Sequence, residues 1–129
     1  MGYSIEKLPN EPVVIFAIDG QYSVTHDLEA SMAARQSLLD TQDEPVFCIM
    51  DYTGVSFTFD ELLLALNRLG GGTHTLYHDP KIRKLLIVAS SPILRLSFEG
   101  MASSEAFGHL HSDIFSTMEE ALEYARSGQ

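Results

Sequence analysis

The sequence is poor in cysteine, tryptophan and basic side chains. Its 129 residues include one cysteine, no tryptophan and eight lysines or arginines, against eighteen acidic residues, which gives a net charge of -10. The single cysteine, Cys48, cannot form an internal disulfide, which is typical of a reducing compartment. The excess of carboxylates repels phosphate groups. We therefore expect neither nucleic acid nor an anionic membrane surface as a general partner.

Long apolar runs are also absent from the sequence. The two longest, residues 12–18 and 62–66, are too short to span a bilayer, and no apolar segment of a secretory signal follows residues 1–4. These features predict a cytoplasmic protein without integral membrane association. The hydrophobic fraction of 45% is ordinary for a globular protein, and no repeat or linker divides the chain. We expect a single domain over residues 1–129.

The apolar runs that are present have the length and composition of buried strands. Residues 12–18, 46–50 and 85–89 are continuous apolar runs, as in strands that are covered on both faces. Residues 113–115 predict a further short strand, and residues 3–8, which alternate only weakly, predict an edge strand.

Helical periodicity appears between these strands. It covers residues 24–39, 59–69, 92–106 and the segment from 118 onwards. The order β-β-α-β-α-β-α-β-α predicts a single-domain α/β fold with a mainly parallel sheet, alternating helices and an antiparallel first strand at one edge.

Three segments of this pattern resemble a STAS domain, the anti-sigma-factor-antagonist fold that is shared in outline with CRAL-TRIO lipid carriers. Residues 47–57 form a strand, a turn and the approach to an apolar helix. Residues 85–89 lead into a serine-rich turn and a helix, and residues 113–122 resemble the closing strand and "EEAL" helix of such domains. The resemblance covers about residues 12–126. It implies a STAS-like fold and a non-enzymatic regulatory or protein-interaction module.

The sequence departs from the family at the serine switch. Antagonists of this family carry a phosphorylatable serine pair at the start of the helix after the middle strand. Here Asp60 and Glu61 stand where that pair would fall, and the remaining hydroxyls are those of Ser56 and Thr58. Thr58 and Glu61 have the spacing of a capping box, in which each side chain accepts a backbone hydrogen bond from the other residue. We therefore expect a module that lacks the phosphorylation switch.

A candidate ligand or partner site lies at the carboxyl ends of the parallel strands, where ligands of open parallel sheets bind. The polar residues predicted to lie there, or at the start of the following helices, are Asp19, Gly20, Asp51, Tyr52, Thr53, Thr58, Asp60, Glu61, Ser90 and Ser91. Asp51 and Tyr52 supply a hydrogen-bond acceptor and a hydrogen-bond donor for such a ligand or partner. The alternative is that all these residues only cap helices and form turns.

Catalytic and metal-binding patterns are incomplete. His74 and His78, with Asp79, and the pair His109 and His111 each lack an evident third metal ligand. Cys48 lies within a buried strand, where a thiol is unreactive. The serines lack the flanking glycines of a nucleophile elbow, and the glycine run 70–72 lacks the lysine of a phosphate-binding loop. We predict no enzyme activity, no cofactor and no metal.

Two modes of action stay open. The acidic first half, the basic cluster of residues 81–84 and apolar residues on the edge strand favour a homodimer, or another protein partner. Alternatively, the apolar helix 59–69 with Leu94, Phe98 and Met101 lines a cavity for an apolar or lipid-like molecule, as in a small relative of the CRAL-TRIO carriers.

Overall fold

The β-branched and aromatic runs form one five-stranded sheet. The computed structural model describes residues 2–54, 60, 61, 64, 81–103 and 112–127. The strands are β1 (Tyr3–Lys7), β2 (Val13–Asp19), β3 (Val46–Gly54), β4 (Ile82–Val88) and β5 (Ser112–Phe115). They lie side by side in chain order, with β1 antiparallel to β2 and every later pair parallel. Because β2, β3 and β4 are central, their continuous apolar runs are covered on both faces.

Three helices have defined bounds: α1 (Val24–Asp40), α2 (Pro92–Ser103) and α3 (Met118–Arg126). The Ser23 hydroxyl caps α1 by accepting a hydrogen bond from the His26 amide at 3.3 Å. Thr117 and Glu120 form a capping box at the start of α3. Each cap satisfies backbone donors that the first turn leaves without helical acceptors.

The sheet separates two apolar layers, because alternate residues of a strand point to opposite faces. On one face α1 and α2 pack against residues that include Phe16, Cys48, Met50, Leu85 and Ile87. On the other face Ala121 and Ala125 of α3 pack against Val13, Phe47, Ile49, Leu86 and Val88. Small residues on α3 let this helix lie close to the sheet.

The structure confirms the predicted fold class. The strands and helices follow the predicted order, and Asp60, Glu61 and Leu64, between β3 and β4, are helical. The capping box predicted from Thr58 lies outside the described residues, as do most of the helix 59–69 and the glycine run 70–72.

The expectation for the edge strand needs a correction. Tyr3 and Ile5 of β1 pack against the layer beneath α1, while Ser4 and Glu6 are the exposed residues. The apolar side chains of this strand are therefore used within the chain. They do not form the surplus surface that the sequence led us to expect there.

Candidate functional site

The acidic side chains at the carboxyl ends of β2 and β3 close local turns. The Asp51 carboxylate accepts hydrogen bonds from the Thr53 amide at 3.0 Å and from the Thr53 hydroxyl at 2.6 Å. Asp19 accepts a hydrogen bond from the Gln21 amide at 2.8 Å. In both cases an aspartate bonds the backbone two residues ahead, which is the ordinary Asx-turn arrangement. These contacts agree with the turn-forming alternative for the candidate site.

Tyr52 and the two serines have different environments. The Tyr52 ring is buried and stacks on Phe98 of α2, with ring centroids 5.3 Å apart. Ser90 is exposed, and the Ser91 carbonyl accepts a hydrogen bond from the Arg95 amide at 3.1 Å, in the first turn of α2. The pairing of Asp51 with Val88 places the end of β3 beside the end of β4, just before these serines. The structure thus brings Asp51 and the serines to one edge, whereas the Tyr52 ring belongs to the core.

Three of the predicted site residues, Thr58, Asp60 and Glu61, lie between β3 and β4 in the chain. Asp60 is exposed and Glu61 is half-buried. Thr58 lies outside the described residues. The capping box that Thr58 would form with Glu61 therefore stays a prediction.

A buried arginine was not singled out from the sequence. Arg35 of α1 is 1% exposed; its guanidinium lies 5.6 Å from the centroid of the Phe16 ring and donates a hydrogen bond to the Met50 sulfur at 3.2 Å. The signal was present, because Arg35 occupies the apolar stripe of α1 that contains Leu28 and Met32. A charged residue on the apolar side of a helix that faces the core indicates that its charged group is buried.

The basic cluster 81–84 is engaged within the chain. Lys84 forms an ion pair with Asp113 at 2.7 Å and donates a hydrogen bond to the Tyr124 hydroxyl at 2.8 Å. The guanidinium of Arg83 lies 4.9 Å from the centroid of the Phe47 ring, and Lys81 donates to the Gln42 carbonyl at 2.6 Å.

A register shift between β3 and β4 explains the contacts of the Arg83 and Lys84 side chains. Val46 pairs with Ile82 but Phe47 pairs with Lys84, so Arg83 is an extra residue in β4. Such a bulge turns two successive side chains towards one face. The cluster therefore ties β4 to its neighbours within the chain, and its docking on the acidic half of a second copy stays a prediction.

A polar cleft lies at the opposite end of the strands. It has a volume of about 430 Å³ and is lined by Lys7, Asn10, Glu11, Pro12, Gln42, Asp43, Glu44 and Val46. Glu11 is held there by Arg126 at 2.7 Å, and this hydrogen bond lowers the pKa of the Glu11 carboxyl. The lining is mostly polar, so this cleft does not suit an apolar ligand.

Two of the residues that were predicted to line an apolar cavity, Leu94 and Phe98, belong to the hydrophobic core. Leu94 and Phe98 are 2% and 8% exposed and pack into the layer beneath α1 and α2. The side chain of Met101 lies outside the described part of the structure.

The outer side of α2 carries the most exposed large apolar side chain of the described residues. Leu96 is 69% exposed and Ile93 is 37% exposed, whereas Leu94 and Phe98 on the inner side are buried. Sequence analysis missed Leu96 because an apolar residue in an amphipathic helix is read as a core residue. Its position, two residues from each of the buried Leu94 and Phe98, was the available signal.

Cys48 and the histidine pairs are further candidates for reactive groups. Cys48 is fully buried, and burial raises the pKa of its thiol, as expected for an unreactive core cysteine. No three His, Cys, Asp or Glu side chains among the described residues group in a way that could hold a metal ion. His74, His78, Asp79, His109 and His111 lie outside those residues. Within the same part of the chain, no helix combines the length and apolarity needed to cross a membrane.

Comparison with known proteins gives a structural relative only. No protein-family model matches the sequence, and no curated protein is similar to it. Among solved structures, the chain is similar to an uncharacterized protein of the DUF3478 family from Shewanella loihica PV-4, described as having a SpoIIAA-like fold. The TM-score is 0.60 at 15% sequence identity, over 95% of this chain and 91% of the other. The chain therefore has a SpoIIAA-like, STAS-like α/β fold.

Proposed function

We propose that this protein is a non-enzymatic module that acts through protein contacts, most directly as a homodimer, and that its role is regulatory. The observation that carries the proposal is a contrast between two surfaces. At the strand ends, Asp19 and Asp51 are committed to turns of their own chain. On the outer side of α2, Leu96 is 69% exposed and Ile93 is 37% exposed, and burial of these side chains against a partner would remove apolar surface from water.

The STAS-like fold supports this proposal at the level of architecture. A fold by itself does not specify function, so the argument depends on the surface. By the sequence resemblance, Asp60 and Glu61 stand in place of the serine pair at which STAS antagonists are phosphorylated. A module of this kind would be controlled by its concentration or by its partner. The acidic composition and the lack of a spanning helix among the described residues are compatible with a cytoplasmic location.

Native mass spectrometry of the purified protein tests the proposal. We expect a mass of two chains at micromolar concentration and no additional bound mass. A single-chain mass carrying a co-purified apolar molecule would replace the proposal with the carrier function. A single-chain mass at every concentration, with no protein recovered in a crosslinking pull-down, would contradict the interaction module.

A further inference from the structure

The outer edge of β1 carries backbone groups that its own sheet does not use. β1 is an end strand of the described sheet and pairs with β2 along all five of its residues, without a register shift. The Asp19 amide donates a hydrogen bond to the Gly2 carbonyl, and the Leu8 amide donates to the Val13 carbonyl, each at 2.9 Å. In an antiparallel pair, residues that bond the neighbouring strand alternate with residues whose amide and carbonyl point away from it.

This alternation identifies the residues of β1 that point outwards. The even-numbered residues bond β2, because Gly2 and Leu8 at the two ends of the strand do so. The amide and carbonyl groups of Tyr3, Ile5 and Lys7 therefore point away from the sheet. Within the part of the chain that the structure describes, no hydrogen bond from another element reaches these backbone groups. A regular edge of this kind is a template for a further strand.

The side chains of β1 leave this backbone edge accessible. The Tyr3 ring stacks on Phe16, with ring centroids 6.3 Å apart, and Ile5 packs into the same apolar layer. Ser4 and Glu6, on the opposite face, are exposed. A further strand that bonds the edge therefore displaces no side chain from the core.

We propose that β1 pairs antiparallel with β1 of a second copy, with Ile5 opposite the partner's Ile5. The inference rests on the homodimer proposed above and locates its contact. A two-fold axis between the two Ile5 residues also places Tyr3 opposite the partner's Lys7, as an isologous interface requires. Each facing pair joins residues with outward backbone groups, so the three pairs form about six hydrogen bonds. The two sheets become one continuous sheet.

The exposed side chains favour this register over its neighbours. It places the Ser4 hydroxyl, a donor, opposite the carboxylate of the partner's Glu6, and the two-fold axis repeats the contact. A slip by two residues in one direction places the two Glu6 carboxylates opposite each other, and like charges directly opposite are destabilising. A slip in the other direction removes the contacts between Ser4 and Glu6. Either slip also leaves fewer hydrogen-bonded pairs within the strand.

The contact lies away from the outer side of α2. This helix contacts β5, at the other edge of the sheet. The exposed Leu96 is therefore left uncovered by the pairing of the β1 strands, and its surface stays open to a further protein partner.

The length of β1 and the net charge set the strength of association. With five residues β1 is about 17 Å long, so the strand pair alone covers less than the roughly 800 Å² per partner of a standard interface. Each copy carries a charge of -10, which opposes association at low salt. We expect a reversible dimer that strengthens when salt screens this repulsion.

Amide hydrogen exchange of the full chain, measured residue by residue by NMR from micromolar to millimolar concentration, tests the pairing directly. The amides of Tyr3, Ile5 and Lys7 should become protected as the concentration rises. Those of Ser4 and Glu6 bond β2 and should be protected at every concentration. Unprotected odd-numbered amides under conditions in which sedimentation shows a dimer would overturn the pairing.

Charge variants at Ser4 test the register. Ser4→Glu places a carboxylate opposite the partner's Glu6 twice in the dimer, and Ser4→Lys places an ammonium group there. In sedimentation equilibrium at low salt, we expect Ser4→Glu to weaken dimerisation about three- to tenfold and Ser4→Lys to strengthen it by a similar factor. Ser37→Glu and Ser37→Lys make the same charge changes at an exposed position of α1 and should have much smaller effects.

A pair of variants at Ile5 separates the backbone from the side chain. Ile5→Pro and Ile5→Ala both lose the isoleucine side chain, but only proline removes the outward amide. An edge strand accepts proline where the amide points to solvent. We expect Ile5→Pro to dimerise at least about tenfold more weakly than Ile5→Ala. If Ile5→Pro does not fold, the Ser4 variants and the exchange pattern decide.

The outcomes distinguish the contact from the homodimer itself. If the natural chain dimerises while the Ser4 variants behave like the Ser37 controls, the β1 pairing is wrong and the homodimer stands. If the natural chain is monomeric at all concentrations and at both low and high salt, the homodimer is wrong and the pairing fails with it. A single chain that carries a co-purified peptide in native mass spectrometry would assign the edge to another protein and overturn the pairing.

Discussion

Replacing Lys84 with methionine tests whether the basic cluster stabilises the chain or recruits a partner. Lys84 links three elements, because its ammonium group on β4 contacts Asp113 on β5 and the Tyr124 hydroxyl on α3. Its side chain is 16% exposed and that of Asp113 is 44% exposed. Methionine keeps most of the aliphatic stem and its packing while removing the charge.

The magnitude follows from the two contacts that are lost. The ion pair contributes about 0.2–1 kcal/mol, because Asp113 is partly exposed and the pair is screened by water. The hydrogen bond from a charged donor to Tyr124 contributes about 1.5 kcal/mol or more before the regained hydration is counted. We expect Lys84→Met to lower the free energy of unfolding by about 1–2 kcal/mol, and the melting temperature by roughly 3–8 °C.

A double-mutant cycle isolates the pair energy. Urea unfolding of Lys84→Met, Asp113→Asn and the double variant should give a coupling of about 0.5–1 kcal/mol that decreases with added salt. Tyr124→Phe, which keeps the ring and removes the hydroxyl, should cost about 0.5–1.5 kcal/mol. An unchanged stability of Lys84→Met, together with altered sedimentation, would refute the reasoning and return the cluster to an intermolecular role.

The pH dependence gives an independent readout of the same network. The hydrogen bonds to Asp113 and Tyr124 raise the pKa of Lys84 above its ordinary 10.5. A group whose pKa is raised by folding stabilises the protein fully below its unfolded pKa and loses that contribution as pH rises through the folded value. The stability difference between the natural chain and Lys84→Met should therefore be constant at neutral pH and shrink only above about pH 10.5.

Four further predictions concern two helix caps, the thiol and metals. Thr117→Ala should lower the free energy of unfolding by about 0.5–2 kcal/mol in urea titration, and Thr58→Ala by a similar amount if Thr58 caps its helix rather than serving as a switch. Unchanged stability with lost partner binding in Thr58→Ala would contradict that capping role. The Cys48 thiol should react with a thiol reagent only as fast as the protein unfolds, and fast labelling under native conditions would show that it is accessible. A chelator should leave the melting temperature unchanged, whereas a fall of many degrees would reveal a structural metal.

Local sequence patterns predicted the elements because each signal is contained within a few residues. The runs that became β2, β3 and β4 are continuous in apolar side chains, a pattern that requires cover on both faces. Thr117 caps α3 because its hydroxyl and Glu120 lie within one turn. The order of strands in the sheet was not specified, since it depends on pairing between distant segments.

Non-local contacts explain what sequence reasoning missed at the candidate site. Lys84 and Asp113 are far apart in the chain, and the bulge at Arg83 is visible only once β3 and β4 are paired. The Tyr52 ring was assigned to a polar edge because its neighbours are polar, but strand alternation directs it into the core against Phe98. Burial of Arg35 could be inferred from its stripe position, although not its contacts with Phe16 and Met50.

The placement of α3 has a consequence for synthesis of the chain. Residues on one face of β2, β3 and β4, among them Phe47, Ile49 and Leu86, are covered by α3, which is the last of the described elements in chain order. During translation, this apolar face exists before the helix that covers it has left the ribosome. The nascent chain is therefore exposed to aggregation until Met118–Arg126 emerges, and ribosome pausing within that segment would lengthen the period in which a chaperone is needed.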